Sequence, residues 1–415
     1  MSLTVPASTR PGRALAFANL GHFLNHVIML VYPTVALTLA ELWQMPYGEL
    51  FRLFFLGSLL YGVAALPAGW LGDRWSTWWM LAIYLLGTGF ATVLTGFAQT
   101  PAQVMAGLAL IGLFASIYHP VGTNFVVQHA VNRARELGYN GAWGTFGLAA
   151  ASFIAAGLTQ LWGWRAAFFV PGAACLALGI AFMLLTDRGS EAATARAEAY
   201  HVPLRAGAVW RALGILVVTT LAVGLIAQAY TTGLPKVFDG SLQGFVSLFS
   251  LEREGGRTLS AGLVTAVILC GVAGQLVGGQ LAARFSPKAV YVGMFAALVP
   301  LALIAAHVAG IALVVAGAAM MLVMTACLPA ENWLVARFCP DGWLARAYSA
   351  KFVLALGGGS FALLAVGEIF DRTTGFLWFY GFLAALALVI VVAGAFLPAA
   401  RGASGAAAPV PGPAE

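Results

Sequence analysis

Two histidines and two asparagines lie close together near the start of the chain. Asn19, His22 and His26 recur at positions i, i+3 and i+7, so a helix would present them on one face, with Asn25 beside them. An imidazole changes its charge near neutral pH, and these side chains could therefore bind a polar solute or carry a coupling proton. The alternative is that they only form hydrogen bonds between neighbouring helices.

A third histidine, His119, directly precedes Pro120 inside an apolar run. Proline has no backbone N–H, so a carbonyl one turn earlier loses its helical donor and the helix is predicted to kink. An imidazole at such a bend is a candidate ligand or proton site, although it could serve only to hold the kink together. Asn124 follows in the same run as a further candidate for the site.

One acid, Glu331, lies well inside an apolar run, two residues after Pro329. Lys351 lies in the following run, and Asn332 is adjacent to the acid. Ionisable side chains within a membrane are costly and need a partner or a purpose. Glu331 and Lys351 could form a structural ion pair, or Glu331 could carry a proton with Lys351 setting its proton affinity.

Gln228 and Tyr230 precede Pro235 in another apolar run and complete the set of candidate binding residues. Two interpretations of them stay open, a solute site facing the histidines or ordinary hydrogen bonding between helices. Glu41, Glu49, Arg52 and Glu368 lie near the ends of runs and are interpreted as interfacial charges.

The candidate residues lie in long apolar sequence runs. The chain has 415 residues, of which 61% are hydrophobic and 9% charged, whereas a soluble domain carries about 25% charged residues. These figures exclude a soluble globule, a disordered chain, a disulfide scaffold and a coiled coil. Twelve apolar runs are each long enough to cross a bilayer. The predicted fold is an all-α integral membrane protein with twelve transmembrane helices.

The twelve runs divide into two six-helix halves that resemble each other weakly. Residues 1–186 form the N-terminal half, 187–208 a polar linker, 209–398 the C-terminal half and 399–415 a tail predicted to be disordered. Residues 237–257 are predicted to form a second long loop. Pro120 corresponds to Pro329 at the same depth of its half. Parallel six-helix repeats of this kind build transporters that work by alternating access.

Orientation is predicted from the basic residues. Most of the 21 Lys and Arg residues fall on the side of the two termini, which favours cytoplasmic termini in an inner (plasma) membrane. The net charge of +6 is scattered rather than gathered into a basic stripe, so no nucleic-acid partner is predicted. The expected partners are a small-molecule substrate and the lipid bilayer, and the chain is expected to be a monomer.

The turn after the second run resembles the major facilitator superfamily. It reads Gly69-Trp-Leu-Gly72-Asp73-Arg74, and a degenerate copy ending in Arg284 follows the eighth run. The resemblance implies pseudo-symmetric halves, transport by alternating access and a cytoplasmic gate held by these turn residues. The segment from His22 to His26 and the sequence Tyr118-His119-Pro120 resemble exporters of the fosmidomycin-resistance type. That narrower resemblance implies efflux of a drug or metabolite by antiport.

Function is therefore predicted as secondary active transport of a small organic solute, with proton-coupled efflux as the first interpretation. Proton-coupled uptake of a small organic anion is the alternative, and a non-transporting scaffold or assembly factor with the same fold is a third hypothesis. No catalytic constellation, nucleotide loop or metal-ligand spacing is apparent in the sequence, so an enzyme, a cofactor and a metal are not predicted. The proton gradient is the expected energy source.

Overall fold

The structure is a computed structural model that describes residues 11–130, 133–187, 206–339, 347 and 350–398. The central part of the predicted linker and the whole predicted tail lie outside these residues. The described residues form helices joined by short turns, and twelve helical segments are long and apolar enough to span a membrane. Spans 1–12 are Gly12–Leu42, Tyr47–Gly72, Thr77–Gly96, Pro101–His129, Glu136–Trp162, Ala166–Leu185, Gly207–Ser241, Arg253–Arg284, Pro287–Ala305, Gly310–Phe338, Ala350–Arg372 and Leu377–Ala395.

Local sequence explains where several spans begin. The hydroxyls of Ser76, Thr100 and Ser286 each accept a hydrogen bond from a backbone N–H three residues later, which caps spans 3, 4 and 9. Pro101 and Pro287 occupy the first turn of spans 4 and 9, where a missing N–H costs nothing. These caps place the helix starts within the short polar breaks between apolar runs.

Spans 7 and 8 are longer than the sequence predicts. Span 7 continues to Ser241 and span 8 begins at Arg253, so the predicted loop over residues 237–257 is largely helical. Its acidic and basic side chains made this segment look like a loop. They lie instead at helix ends, where ion pairs offset their charges.

Four spans are interrupted. Span 2 is interrupted at Ala64, span 4 contains a π-helix over Tyr118–Gly122, span 10 is interrupted at Cys327 and span 11 contains a π-helix over Val353–Gly357. The interruptions in spans 4 and 10 directly precede or include Pro120 and Pro329, the two prolines matched between the halves. A proline cannot supply the N–H of a continuous helix, so both breaks have the same physical cause.

Packing brings spans from the two halves together. We call the side on which span 1 begins the near side and the opposite side the far side. Spans 2 and 11 approach so closely that a Cβ on Gly62 would overlap the backbone of Gly357. Spans 5 and 8 meet through the Thr265 hydroxyl, which donates to the Ala149 carbonyl over 2.6 Å. Small residues at such contacts let helix backbones approach without side chains between them.

Candidate functional site

The break in span 4 is stabilised by an asparagine from span 1. The Nδ2 of Asn25 donates to the Ala115 carbonyl over 3.0 Å, within one turn of the π-helix that contains Pro120. Asn25 is fully buried, and the Tyr61 hydroxyl donates to its Oδ1 over 2.8 Å. Asn25 thus provides a donor from outside the helix to a carbonyl in the turn before Pro120, where the proline leaves the backbone one N–H short.

Three histidines gather at this break. His22 and His26 come from span 1 and His119 from the π-helix, and one ring nitrogen of each lies within 4.8 Å of the others. The ring centroids are 5.0 Å apart for His22 and His26, 5.4 Å for His22 and His119, and 5.5 Å for His26 and His119. None of the three side chains is exposed. We call these three residues the imidazole cluster.

A second network fixes His22 from the side of span 5. Its Nδ1 lies 2.8 Å from the backbone carbonyl and 3.0 Å from the Oδ1 of Asn140. The Nδ2 of Asn140 donates to Asn19 over 3.0 Å and to the Tyr118 hydroxyl over 2.8 Å. Tyr118 in turn donates to the Ala18 carbonyl over 2.7 Å. These polar groups orient one another, which restricts the His22 ring to one position.

The imidazole cluster faces the C-terminal half. The ring of Phe352, at the start of span 11, stacks on His119 with a centroid distance of 5.8 Å and an interplanar angle of 14°. Phe352 is 43% exposed, so this contact lies at the edge of an open region. The hydroxyls of Ser58 and Ser360 share a hydrogen bond of 2.7 Å across the two halves. The cluster therefore sits on the seam along which the halves would move.

Glu331 and Lys351 come together in the C-terminal half. The Lys351 Nζ lies 2.7 Å from the Glu331 Oε2, and the Glu331 side chain is completely buried. The Thr220 hydroxyl of span 7 donates to the other carboxylate oxygen over 3.0 Å. Lys351 also donates to the Oδ1 of Asn332, which is exposed. The pair links spans 7, 10 and 11 and stands just beyond the break in span 10.

The other predicted binding residues are placed less favourably. The Tyr230 hydroxyl is fully buried and donates to the Gly317 carbonyl over 2.7 Å, which ties span 7 to span 10. Asn124 accepts from Gln128 over 3.4 Å, and Gln128 accepts from the Thr77 hydroxyl over 3.0 Å. Both arrangements are those of hydrogen bonds between or within helices. The half-buried Gln228 is two residues before Tyr230, and its role in binding stays a prediction.

The segment Gly69–Arg74, which was predicted to be a turn, forms the last part of the helix Ala65–Arg74 and packs against the break in span 4. A Cβ on Gly72 would lie 2.8 Å from Val121, and one on Gly69 would lie 3.1 Å from Pro120. The guanidinium of Arg74 lies 4.4 Å from the ring centroid of Trp70. Arg284 is exposed at the end of span 8, and the side chain of Asp73 lies outside the described part. The two glycines thus allow the end of this helix to pack closely against the segment that carries His119.

Charges on the far side join the two halves. Arg257, with a side chain that is 6% exposed, pairs with Glu41 of span 1 and with Asp239 of span 7. The Arg52 guanidinium of span 2 lies 2.7 Å from Glu368 in span 11. Glu41, Arg52 and Glu368 lie near span ends, as the sequence indicates, and in addition they form ion pairs that the sequence did not predict. Each crosses the seam, and together they hold the far ends of the halves in contact.

Several of these residues have no distinguishing signal in the sequence. Tyr61, Asn140 and Thr220 are ordinary polar residues of apolar helices, and only the packing of distant spans shows what they contact. Arg257 gives a weak signal, because it stands near the acids Glu252 and Glu254 at the edge of an apolar run.

The arrangement of two packed halves around a polar seam agrees with a comparison of the sequence with known families. A family model described as Major Facilitator Superfamily matches residues 15–252. The chain belongs to this superfamily. The relatives and structural neighbours described below are transporters, and the predicted family is confirmed.

One curated relative is the probable L-galactonate transporter of Escherichia coli (strain K12). It is 27% identical over 267 residues, which make up 59% of this chain and 55% of that protein. The chain thus spans about half the length of the curated relative that it matches.

Two solved structures show the same fold with little sequence identity. The nucleoside transporter NupG superposes with a TM-score of 0.75 at 13% identity, over 92% of this chain and 99% of that chain. The fucose:proton symporter FucP of E. coli superposes with a TM-score of 0.58 at 16% identity, over 94% of this chain and all of that chain. These likenesses concern the fold alone.

Proposed function

We propose that this major facilitator is a proton-coupled transporter of a small organic anion. The observation that carries the proposal is the pair of Glu331 and Lys351, a fully buried carboxylate 2.7 Å from an ammonium group. A charge without a partner at this depth would be strongly destabilised, so the charge states of the two groups are linked. A proton on Glu331 removes the attraction that holds Lys351 in place.

The geometry gives Lys351 a second partner when the pair opens. Its Nζ already donates to Asn332, which is exposed, so the ammonium group stands between a buried carboxylate and an exposed residue. An anionic solute that enters there replaces the negative charge that protonation removes. Proton and anion thereby bind together, and neither leaves a buried charge unpaired.

Thr220 extends this mechanism to a third span. Its hydroxyl donates to the carboxylate oxygen that Lys351 does not contact, so it connects span 7 to Glu331. Protonation of Glu331 removes the negative charge that strengthens this hydrogen bond, so the contact between spans 7 and 10 becomes weaker. The step connects the protonation state of one side chain with the packing of the C-terminal half.

The name of the curated relative supports an organic anion as substrate, because galactonate is a carboxylate. The direction of transport is part of the proposal. Export by antiport follows from the resemblance to fosmidomycin-type exporters, whereas uptake by symport fits the simultaneous binding of proton and anion at Glu331 and Lys351. The two differ in the sign of proton movement, and one experiment separates them.

The test uses the purified protein in liposomes that contain the pH indicator pyranine. A panel of aldonates, including galactonate, and of phosphonates is added outside in the absence of a gradient. Acidification of the lumen indicates symport, and alkalinisation of the lumen indicates antiport. Proton coupling is expected to disappear in Glu331→Gln, which keeps the shape of the side chain but cannot carry a proton.

Glu49→Gln is the matched control, because Glu49 is an exposed acid at the far end of span 2. It should transport as the unmodified protein does. If Glu331→Gln retains pH-driven transport at the full rate, Glu331 is not the proton carrier. If no solute of the panel moves protons and no solute is itself accumulated, the scaffold hypothesis is favoured instead.

A further inference from the structure

The imidazole cluster has an arrangement that proton coupling at Glu331 does not explain. Three nitrogen ligands from two spans converge within 4.8 Å at the seam between the halves. Histidine is the commonest metal ligand in proteins and binds through the ring nitrogen that has no proton. The protonation sites of two of the three rings follow from their neighbours.

His22 must hold its proton on Nδ1. That nitrogen faces two acceptors, the backbone carbonyl and the Oδ1 of Asn140 at 2.8 and 3.0 Å. The orientation of the Asn140 amide is itself fixed, because its Nδ2 donates to Asn19 and to Tyr118. The Nε2 of His22 therefore carries a lone pair, and this atom is buried with no hydrogen-bond partner among the described residues.

His119 is fixed in the opposite tautomer. Its Nε2 lies 2.7 Å from the Tyr61 oxygen, and the proton of that hydroxyl is donated to the Oδ1 of Asn25. The amide of Asn25 cannot be reversed, because its Nδ2 donates to the Ala115 carbonyl. The Tyr61 oxygen thus accepts from His119 Nε2–H, and the lone pair of His119 lies on Nδ1.

From this geometry we propose that His22, His26 and His119 form a binding site for a divalent transition metal ion of the zinc type. Ligating histidines in proteins donate their second ring N–H to a carbonyl or another oriented oxygen, as His22 does to Asn140 and His119 does to Tyr61. Three imidazoles and one open position are a ligand set that Zn²⁺ accepts.

Binding requires the rings to move together slightly. Zinc–nitrogen bonds of about 2.0 Å in a tetrahedral site place two ligating nitrogens roughly 3.3 Å apart. In the structure the ring nitrogens of the cluster are separated by up to 4.8 Å. Rotations about side-chain bonds supply this contraction. The fourth position is left for water or for an anionic group of a bound solute.

Span 5 contributes a glycine that makes room for the cluster. A Cβ on Gly144 would lie 2.5 Å from the His22 Nε2, the atom that would bind the metal. An alanine at this position is therefore expected to displace the ring without removing a ligand. Gly141 lies one turn earlier in the same span, where a Cβ would meet no atom within 4 Å, and it provides the control.

The experiment titrates the purified full-length protein in detergent with Co²⁺ and follows the visible d–d absorption, with displacement by Zn²⁺. One equivalent is expected to bind and to give the intense bands of a tetrahedral site. His22→Gln, His26→Gln and His119→Gln should each weaken the affinity at least tenfold. His307→Gln, which changes an exposed loop histidine, should leave it unchanged.

Gly144→Ala keeps all three ligands and should weaken binding, whereas Gly141→Ala should not. X-ray absorption of the zinc-loaded protein should show nitrogen neighbours with imidazole scattering, a readout that needs no variant to fold. Absence of binding to the unmodified protein, or unchanged affinity in the three histidine variants, overturns the proposal. Binding of inorganic anions in place of Co²⁺ would also overturn it and would identify the cluster as an anion site.

Discussion

Arg257 is expected to control which side of the transporter is closed. Its buried guanidinium pairs with Asp239 and Glu254 of its own half and with Glu41 of the other half. It also donates to the Leu37 carbonyl of span 1 over 3.4 Å. Only the bonds to span 1 are lost when the far side opens, so these bonds favour the closed far side. Arg257→Met removes the charge and largely keeps the length of the side chain.

The free energy lost in Arg257→Met depends on how exposed the side chains of the ion pair are. Removing one partner of a fully buried ion pair costs about 3–5 kcal/mol, and an exposed pair contributes about 0–1 kcal/mol. The Arg257 side chain is 6% exposed but that of Glu41 is 40% exposed, so the cross-half part lies between these limits, at about 2 kcal/mol. That value shifts the conformational equilibrium roughly 30-fold. A population that is about 1% open on the far side would then become about one quarter open.

Spin labels on opposite halves measure this shift. Gln99 and His307 are exposed residues in far-side loops of the two halves, and a protein without native cysteines accepts labels there. Double electron–electron resonance should show a longer distance that gains population in Arg257→Met. Arg253→Met is the matched control, because Arg253 pairs with the same acid but is 72% exposed, and its effect should stay within about twofold.

Equal distance distributions in Arg257→Met and Arg253→Met would refute the reasoning. Such a result would mean that the buried guanidinium contributes no more to closure than an exposed one. A loss of folding is distinguished by size-exclusion chromatography before the measurement.

Two further predictions concern the seam. Gly62→Ala places a methyl group against the backbone of Gly357 in the other half, so it should separate spans 2 and 11. The transport rate should fall at least tenfold. Gly279→Ala, whose added Cβ would meet no atom within 4 Å, should transport normally. Asn25→Ala removes the donor that span 1 supplies to the buried Ala115 carbonyl. The loss should cost about 1–3 kcal/mol and lower the melting temperature of the detergent-solubilised protein. An unchanged melting temperature would show that the break in span 4 does not need this bond.

The spans could be predicted from the sequence because their signal is strong and local. A run of about 20 apolar residues has few structural alternatives to a membrane helix, and all twelve predicted runs correspond to spans. The ends of spans 7 and 8 were predicted less well. Charged residues around Arg257 suggested a loop, but their partners on other spans make helical ends acceptable, and those partners are distant in the sequence.

The candidate site was predictable only in part. Histidines, an acid and a lysine inside apolar runs are costly enough to stand out in any membrane sequence, which is why His119 and Glu331 could be singled out. Tyr61, Asn140 and Thr220 can be buried at a small free-energy cost when they are hydrogen-bonded, so they do not stand out in the sequence. Each contacts a residue that is distant in the sequence: the separations are 58 positions for Tyr61, 118 for Asn140 and 111 for Thr220. A single sequence does not reveal such contacts.

The broken spans explain why the polar residues lie where they do. An unbroken apolar helix satisfies all its backbone groups and offers nothing to a solute, whereas a break exposes carbonyls that need donors. In span 4 this need recruits Asn25 and, through it, the Tyr61 hydroxyl that orients His119. In span 10 the break sets Glu331 one turn beyond Cys327, within reach of Lys351. Matched prolines thus place a different chemistry at the same depth of each half, nitrogen ligands in one and a carboxylate in the other. Among the nitrogen ligands, His119 contacts Phe352 of the C-terminal half, and the carboxylate pairs with Lys351 of the same span 11, so a movement of span 11 would change both environments.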